Sequence, residues 1–230
     1  MKIIGIVGRV YYNKDDQKII QLNDSVRKVL TNYEDIIPIL ILPPNHEDYH
    51  NIKIGADIID AESKKKLDYL LDKCDGFIVP GGTYWYKFDE YVINHAIKYN
   101  KPLLAICAGF QCLCSMYAID RYKADMTNRL TDNNHYGEED KYIHKNIIVK
   151  DTLLSRIVGK DIIKVNSIHH DYVDFEMKDL IISSYSEDNI IEAVELPNHS
   201  FLIGLEWHPE YLMDEDSKKI FDYFIKVVKR

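Results

Sequence analysis

The sequence predicts an α/β fold with a mostly parallel central sheet flanked by helices and a small antiparallel addition in its second half. Two observations carry this reading. In the first 120 residues, short apolar runs alternate with longer amphipathic ones, the pattern of repeated β-α units. From about residue 143 onward, strand-like runs follow one another on short connections, which suits antiparallel pairing. No repeat, low-complexity tract or linker interrupts the 230 residues, so residues 1–230 read as a single domain.

The elements follow in order. "KIIGIV" (2–7) reads as a buried first strand. Residues 17–31 carry apolar positions at 19, 20, 22, 26, 29 and 30, which predicts a helix. "IIPILIL" (36–42) is a second strand, stopped by Pro43 and Pro44. A helix with a charged face spans 61–74, and "DGFIVPGG" (75–82) is a strand running into a glycine turn. Residues 87–99 predict a helix, 102–106 a strand, and the stretch from Cys107 to about Tyr117 another helix. Residues 120–142 are polar and irregular and read as a loop crossing the site region. Strands are expected at 143–149, 162–166, 180–185, 190–196 and 201–206, before a final helix at 215–229.

Bulk composition excludes several functions. The formal net charge of −8 argues against a nucleic-acid surface, which is basic. The N-terminus lacks the pattern of an export signal, and no run of about 18 apolar residues suggests a membrane span. A cytoplasmic protein with four reduced cysteines is therefore expected. Cys112 and Cys114 point apart on a helix and no C-x2-C pair exists, so neither zinc nor another metal is expected.

The chemistry concentrates at three places. "PLLAICAGFQCLC" puts Cys107 where a buried strand ends and a helix begins. Small residues two positions either side, Ala105 and Gly109, allow the tight turn that exposes a nucleophile. A helix N-terminus also favours a thiolate. A buried structural cysteine is the alternative reading of this stretch. After the preceding strand, Gly81 and Gly82 let backbone N–H groups approach a ligand, and with the N–H of Ala108 they can form an oxyanion hole. A plain tight turn is the alternative there. In "GLEWHPEYL", His208 and Glu210 are two apart, facing the same way on the extended backbone that Pro209 favours. Glu210 would then hold the imidazole and His208 would take the proton of Cys107. "NSIHHD" (166–171) supplies the main competing histidines, His169 and His170.

"AICAGFQ", "PGG" and "WHPE" together resemble the class I glutamine amidotransferase-like superfamily, whose fold is flavodoxin-like. "VNSIHH" followed by "IEAVELPNHSFLIGLEWHPE" is most similar to its γ-glutamyl hydrolase branch, peptidase family C26, which includes γ-glutamyl-γ-aminobutyrate hydrolases. The resemblance implies Cys107 as nucleophile, His208 as base and acid, and Glu210 as its partner. Gly82 or Gly81, with Ala108, would supply the oxyanion N–H groups. It also implies that Gln111 holds the glutamyl group, and that Ser167, Ile168 and His169 bind its α-amino and carboxylate end. No cofactor is implied. The partner would be a small-molecule γ-glutamyl amide, with no nucleic acid or membrane; a homodimer is compatible, and a synthase partner belongs to the alternative of a glutaminase subunit. An inactive binding homologue is a third reading.

Three departures bear on specificity: Ala105 replaces the first glycine of the elbow, Ala108 stands where related hydrolases often carry arginine, and the stretch between the glycine turn and Cys107 is short. Aromatic residues follow that turn in "TYWYKFDEY", and Tyr84, Trp85 and Tyr86 are candidates to line a leaving-amine pocket, unless they pack in a core. Arg121, Arg129 and Lys141 are candidate phosphate contacts, unless they belong to a solvated charged loop.

Overall fold

The computed structural model describes residues 1–44, 59–120, 128–129 and 134–230. Its centre is a nine-stranded sheet. Five parallel strands are β1 (Lys2–Val7), β4 (Ile36–Ile41), β5 (Gly76–Val79), β6 (Leu103–Ile106) and β13 (Leu202–Leu205). Four more extend the same sheet antiparallel: β8 (His144–Ile148), β9 (Ile162–Val165), β11 (Ile181–Ser186) and β12 (Ile191–Glu195). The spatial order is β4-β1-β5-β6-β13-β12-β11-β8-β9. A two-residue pairing outside this sheet joins β7 (Asn128–Arg129) to β10 (Asp171–Tyr172).

The central strands are covered on both faces, which explains their continuous apolar runs. Because side chains alternate, Ile78, Leu104 and Ile106 enter one core while Phe77, Val79, Leu103 and Ala105 enter the other. The first core is closed by α1 (Asp24–Leu30), α5 (Leu153–Val158) and α7 (Glu215–Val228). The second is closed by α2 (Ala61–Lys73), α3 (Lys87–Lys98) and α4 (Ala108–Tyr117). Caps fix the starts of several helices: Asp60 accepts from Glu62 and Ser63, and Asp214 from Ser217. All four cysteines are buried free thiols.

The helix expected over 17–31 is only half present. Its first part is a hairpin strand, β3 (Lys18–Gln21), paired with β2 (Arg9–Tyr12). Asn13 makes the turn by accepting from the N–H groups of Asp15 and Gln17 at 3.0 and 2.9 Å. Ile19 and Ile20, counted as part of an apolar helical face, are 36% and 40% exposed. The helix starts only after Asn23, which caps it.

Candidate active site

Three adjacent parallel strands, β5, β6 and β13, end at one rim of the sheet, and each hands over one of the sequence motifs. That rim is where ligands bind in parallel α/β sheets. β5 leads into Pro80-Gly81-Gly82, β6 into Cys107, and β13 into Glu206-Trp207-His208.

Cys107 sits between β6 and α4 with φ 47° and ψ −108°. This is costly backbone for a residue with a Cβ, the kind of strain that clusters at functional sites. Its N–H is anchored on the Leu205 carbonyl at 2.8 Å. Gly109 makes the turn possible: a Cβ there would lie 2.1 Å from the carbonyl oxygen of Val79, so α4 rests directly on β5. Ala108 is the first residue of α4, where a backbone N–H has no acceptor within the helix.

His208 is buried beside Cys107, and both line the same cavity. Its Nδ1 meets Glu210 Oε1 at 2.7 Å. Burial opposes charge on this imidazole, but the Glu210 carboxylate and Cys107 outweigh it and raise its pKa well above the usual histidine value. The approach differs from the extended backbone expected from sequence. Pro209 is the first residue of a short helix, α6 (Pro209–Leu212), with His208 as its N-cap, so Glu210 reaches the imidazole from a helical turn. Gly81 packs against the ring: a Cβ on it would lie 2.4 Å from His208 Cε1 and 3.4 Å from Cys107 Cβ.

A cavity of about 410 Å³ opens above these groups. Cys107, His208, Glu210, Gly81, Gly82, Gln111, Ile168 and His169 all face it. Gln111 lies one helical turn beyond Cys107, and its Nε2 donates to Glu206 Oε1 at 2.6 Å. Burial lifts the Glu206 carboxyl to about 7, against the opposing pull of His169 and Gln111. Ser167 is fully buried and does not reach the cavity wall; its carbonyl accepts from Gly137.

Tyr84 and Trp85 are not brought to the cavity. Trp85 is partly buried against the second core, Tyr86 is the buried N-cap of α3, and Tyr84 is 57% exposed. Besides His169 and His208, rings facing the cavity include Tyr11, Tyr136, His170 and Tyr211, with Tyr136 and His170 stacked at 4.4 Å and 7°. Tyr136 and Glu139 come from the polar segment expected to cross the site; much of that segment, with Arg121 and the side chain of Arg129, lies outside the described residues. Lys141 is exposed.

Sequence reading missed two supports. Arg9, buried on β2, donates through Nε to the carbonyls of Pro80 and Gly81 at 3.0 and 3.2 Å, and through Nη2 to Pro80 again. Its Nη1 pairs with buried Asp89 at 2.6 Å. A trans peptide points its C=O and N–H in opposite directions. Holding these two carbonyls therefore turns the N–H groups of Gly81 and Gly82 away from Arg9. Asn166 is the second support: its Oδ1 accepts from His208 N at 3.0 Å and its Nδ2 donates to His208 O at 2.9 Å. Such an arrangement can activate a thiol, stabilise an oxyanion and move a proton.

Known proteins agree with this architecture. The peptidase C26 family model matches residues 86–210. A glutamine amidotransferase-like protein of Rickettsia prowazekii is 28% identical, over 76% of this chain and 84% of its own length. CTP synthase of Thermosipho africanus is 27% identical over 90% of this chain, which spans 42% of that enzyme. Among solved structures, the glutaminase domain of Trypanosoma brucei CTPS with bound acivicin superposes with a TM-score of 0.64 at 16% identity, covering 100% of this chain and 94% of that one. With its motif-bearing strand ends at one rim and more than half its length matched, the chain belongs to the peptidase C26 family, within the class I glutamine amidotransferase-like superfamily.

Proposed function

We propose that the protein hydrolyses a γ-glutamyl amide to glutamate and a free amine through a thioester on Cys107. The observation that carries this reading is the Cys107–His208–Glu210 contact chain, set at a strained strand–helix turn beside the glycine turn. His208 takes the proton of Cys107 as the sulfur attacks the γ-carbonyl carbon, and the carbonyl electron pair moves onto oxygen. The N–H groups of Gly81 or Gly82 and of Ala108 stabilise that oxyanion. The intermediate collapses as His208 protonates the departing amine. His208 then takes a proton from water, which attacks the thioester and releases glutamate with the thiol restored. Glu210 holds the imidazole in position throughout.

Gln111, Ile168 and His169 face the cavity where the glutamyl portion would lie. The leaving amine would extend toward Tyr136, His170 and Tyr211, a wall with flat aromatic surface. That wall suits a γ-glutamyl-γ-aminobutyrate-type amine, and equally a small or nucleotide-linked amino alcohol. A second reading, a glutaminase supplying ammonia to a separate synthase, is favoured by the likeness to CTP synthases, of which this chain spans less than half.

Glutamate release from free glutamine and from a panel of γ-glutamyl amides, with Cys107→Ala as the blank, tests the proposal. Turnover of one amide far above glutamine by the isolated protein is expected. Slow glutaminase activity alone would favour the subunit reading. Failure of a thiol-directed glutamine analogue to label Cys107 at neutral pH would favour an inactive homologue.

A further inference from the structure

Behind the cavity wall, His169 joins a second cluster whose other members, His135, His144 and Glu192, the proposed hydrolysis does not use. His135, His144 at the start of β8, His169 and Glu192 on β12 each offer one ligand atom, and these four atoms lie within 4.8 Å of one another. His135 Nδ1, His144 Nε2 and His169 Nε2 stand 3.3, 3.6 and 3.5 Å from Glu192 Oε1. Those contacts lack hydrogen-bond geometry, and both Glu192 oxygens and all three inward nitrogens are buried without a hydrogen-bond partner. Buried polar atoms are almost always satisfied, so five around one point call for a further group.

The outward nitrogens say what that group is. His135 Nε2 faces the Asp188 carboxylate at 3.1 Å, His169 Nδ1 the Asp171 carbonyl at 3.0 Å, and His144 Nδ1 the Lys145 carbonyl at 3.5 Å. Each of these partners is an acceptor, so each outward nitrogen carries the proton. In a neutral ring the inward nitrogen is then a bare lone pair. Three lone pairs and a carboxylate oxygen converging on one point repel each other unless a cation lies between them. Protons on His135 and His169 would relieve their contacts with Glu192, but they would set two like charges 4.9 Å apart and leave His144 facing the carboxylate with a bare lone pair at 3.6 Å. An outer acceptor on each imidazole is the arrangement found around metal-bound histidines.

We propose that His135, His144, His169 and Glu192 bind one zinc ion. Three imidazoles and one carboxylate form a complete tetrahedral set for zinc. The three distances to Glu192 approximate the edge of a tetrahedron, about 3.3–3.6 Å, for ligands 2.0–2.2 Å from the metal. Four protein ligands close the coordination sphere, so the ion is structural and takes no part in amide cleavage. It ties the segment from Asn166 to Asp171 to the antiparallel half of the sheet. That segment carries Asn166, which holds the His208 backbone, and Ile168 and His169, which face the cavity. Cysteine spacing gave no hint of this site because no cysteine takes part.

Metal content of the untagged protein, exposed to Zn2+ and passed through a desalting column, tests the assignment independently of any hydrolase activity. About one zinc per chain is expected, retained in Cys107→Ser and reduced at least tenfold in His144→Gln and Glu192→Gln. Because those two variants could fail to fold, the wild-type protein is also stripped with a chelator and refilled with Co2+. A tetrahedral cobalt spectrum without a sulfur charge-transfer band is expected. Wild-type zinc below a tenth per chain, an octahedral cobalt spectrum, loss of the ion in Cys107→Ser, or full loading of folded His144→Gln would each overturn the proposal.

Discussion

Replacing Arg9 by lysine isolates the clamp on the glycine turn. The guanidinium reaches the carbonyls of Pro80 and Gly81 and the Asp89 carboxylate at once, from a buried position. A lysine keeps the positive charge but is a single point on a flexible stem, so it cannot fill a planar fork aimed at three acceptors. The charge still compensates Asp89. The variant therefore avoids most of the roughly 3–5 kcal/mol that follows when a buried ion pair loses one partner outright. What it loses is the fixed direction of two peptide planes. If one oxyanion N–H swings away, the transition state loses about 3 kcal/mol, or about 100- to 1000-fold in kcat. Steady-state kinetics on the amide identified by the substrate panel, with circular dichroism to show the fold, provide the assay. Arg9→Lys should lower kcat by that factor with KM changed less than about threefold. A folded variant with wild-type kcat would refute the clamp as a positioning device. A raised KM at unchanged kcat would instead make Arg9 a substrate contact, which its place on the cavity wall permits.

Gly109→Ala should lower Tm, since its Cβ would fall 2.1 Å from Val79 O; overpacking of about 1–3 kcal/mol corresponds to about 2–4 °C per kcal/mol, and an unchanged melt would contradict the close approach. Cys107→Gly should melt about 2–4 °C above Cys107→Ala, because only glycine adopts φ 47°, ψ −108° without strain, and this relief exceeds glycine's entropic cost by about 1 kcal/mol; equal melting temperatures would remove the strain argument. Glu210→Gln tests the coupling to His208. The folded pKa of His208 lies above its unfolded value, so the stability it contributes is complete below about pH 6.5 and is lost as pH rises through the folded pKa. The Tm deficit of Glu210→Gln should therefore be largest near pH 6 and narrow toward alkaline pH; a deficit that widens with pH would reverse the assigned sign. Asn166→Ala should lower kcat about 10- to 100-fold by releasing the His208 backbone, and an unchanged kcat in a folded variant would show that α6 alone positions the ring.

The parallel strands were legible because burial on both faces leaves a continuous apolar run, and such a run is visible within a few residues. The β2–β3 hairpin was not. Ile19, Ile20 and Leu22 happen to continue the spacing of Val26, Val29 and Leu30, so periodicity merged two elements. Local chemistry held the correction: Asn13 before two aspartates marks a turn, and Asn23-Asp24-Ser25 marks a helix start. The aromatic stretch after the glycine turn misled for a related reason. Tyr84, Trp85 and Tyr86 follow that turn directly in sequence, but they lead into α3, where Tyr86 is the buried N-cap and Trp85 packs against the core.

The same distinction of range divides the site. Cys107, Gly81 and His208 follow strand ends, with Glu210 on the helical turn just after, and a strand end is a local event with a local signature of small residues, glycine or proline. Arg9 acts on Pro80 across 71 positions, Asn166 on His208 across 42, and Gln111 on Glu206 across 95. No window of sequence contains both partners of any of these pairs, so no pattern can announce them. The His135–His144–His169–Glu192 cluster is the extreme case, since its members come from separate stretches of the chain and meet only because β12, β8 and the segment before β10 converge. Groups that react must sit where the chain turns sharply, and sequence records the turn. Groups that hold the reactive ones in place are chosen by the fold as a whole, and only the folded chain reveals them.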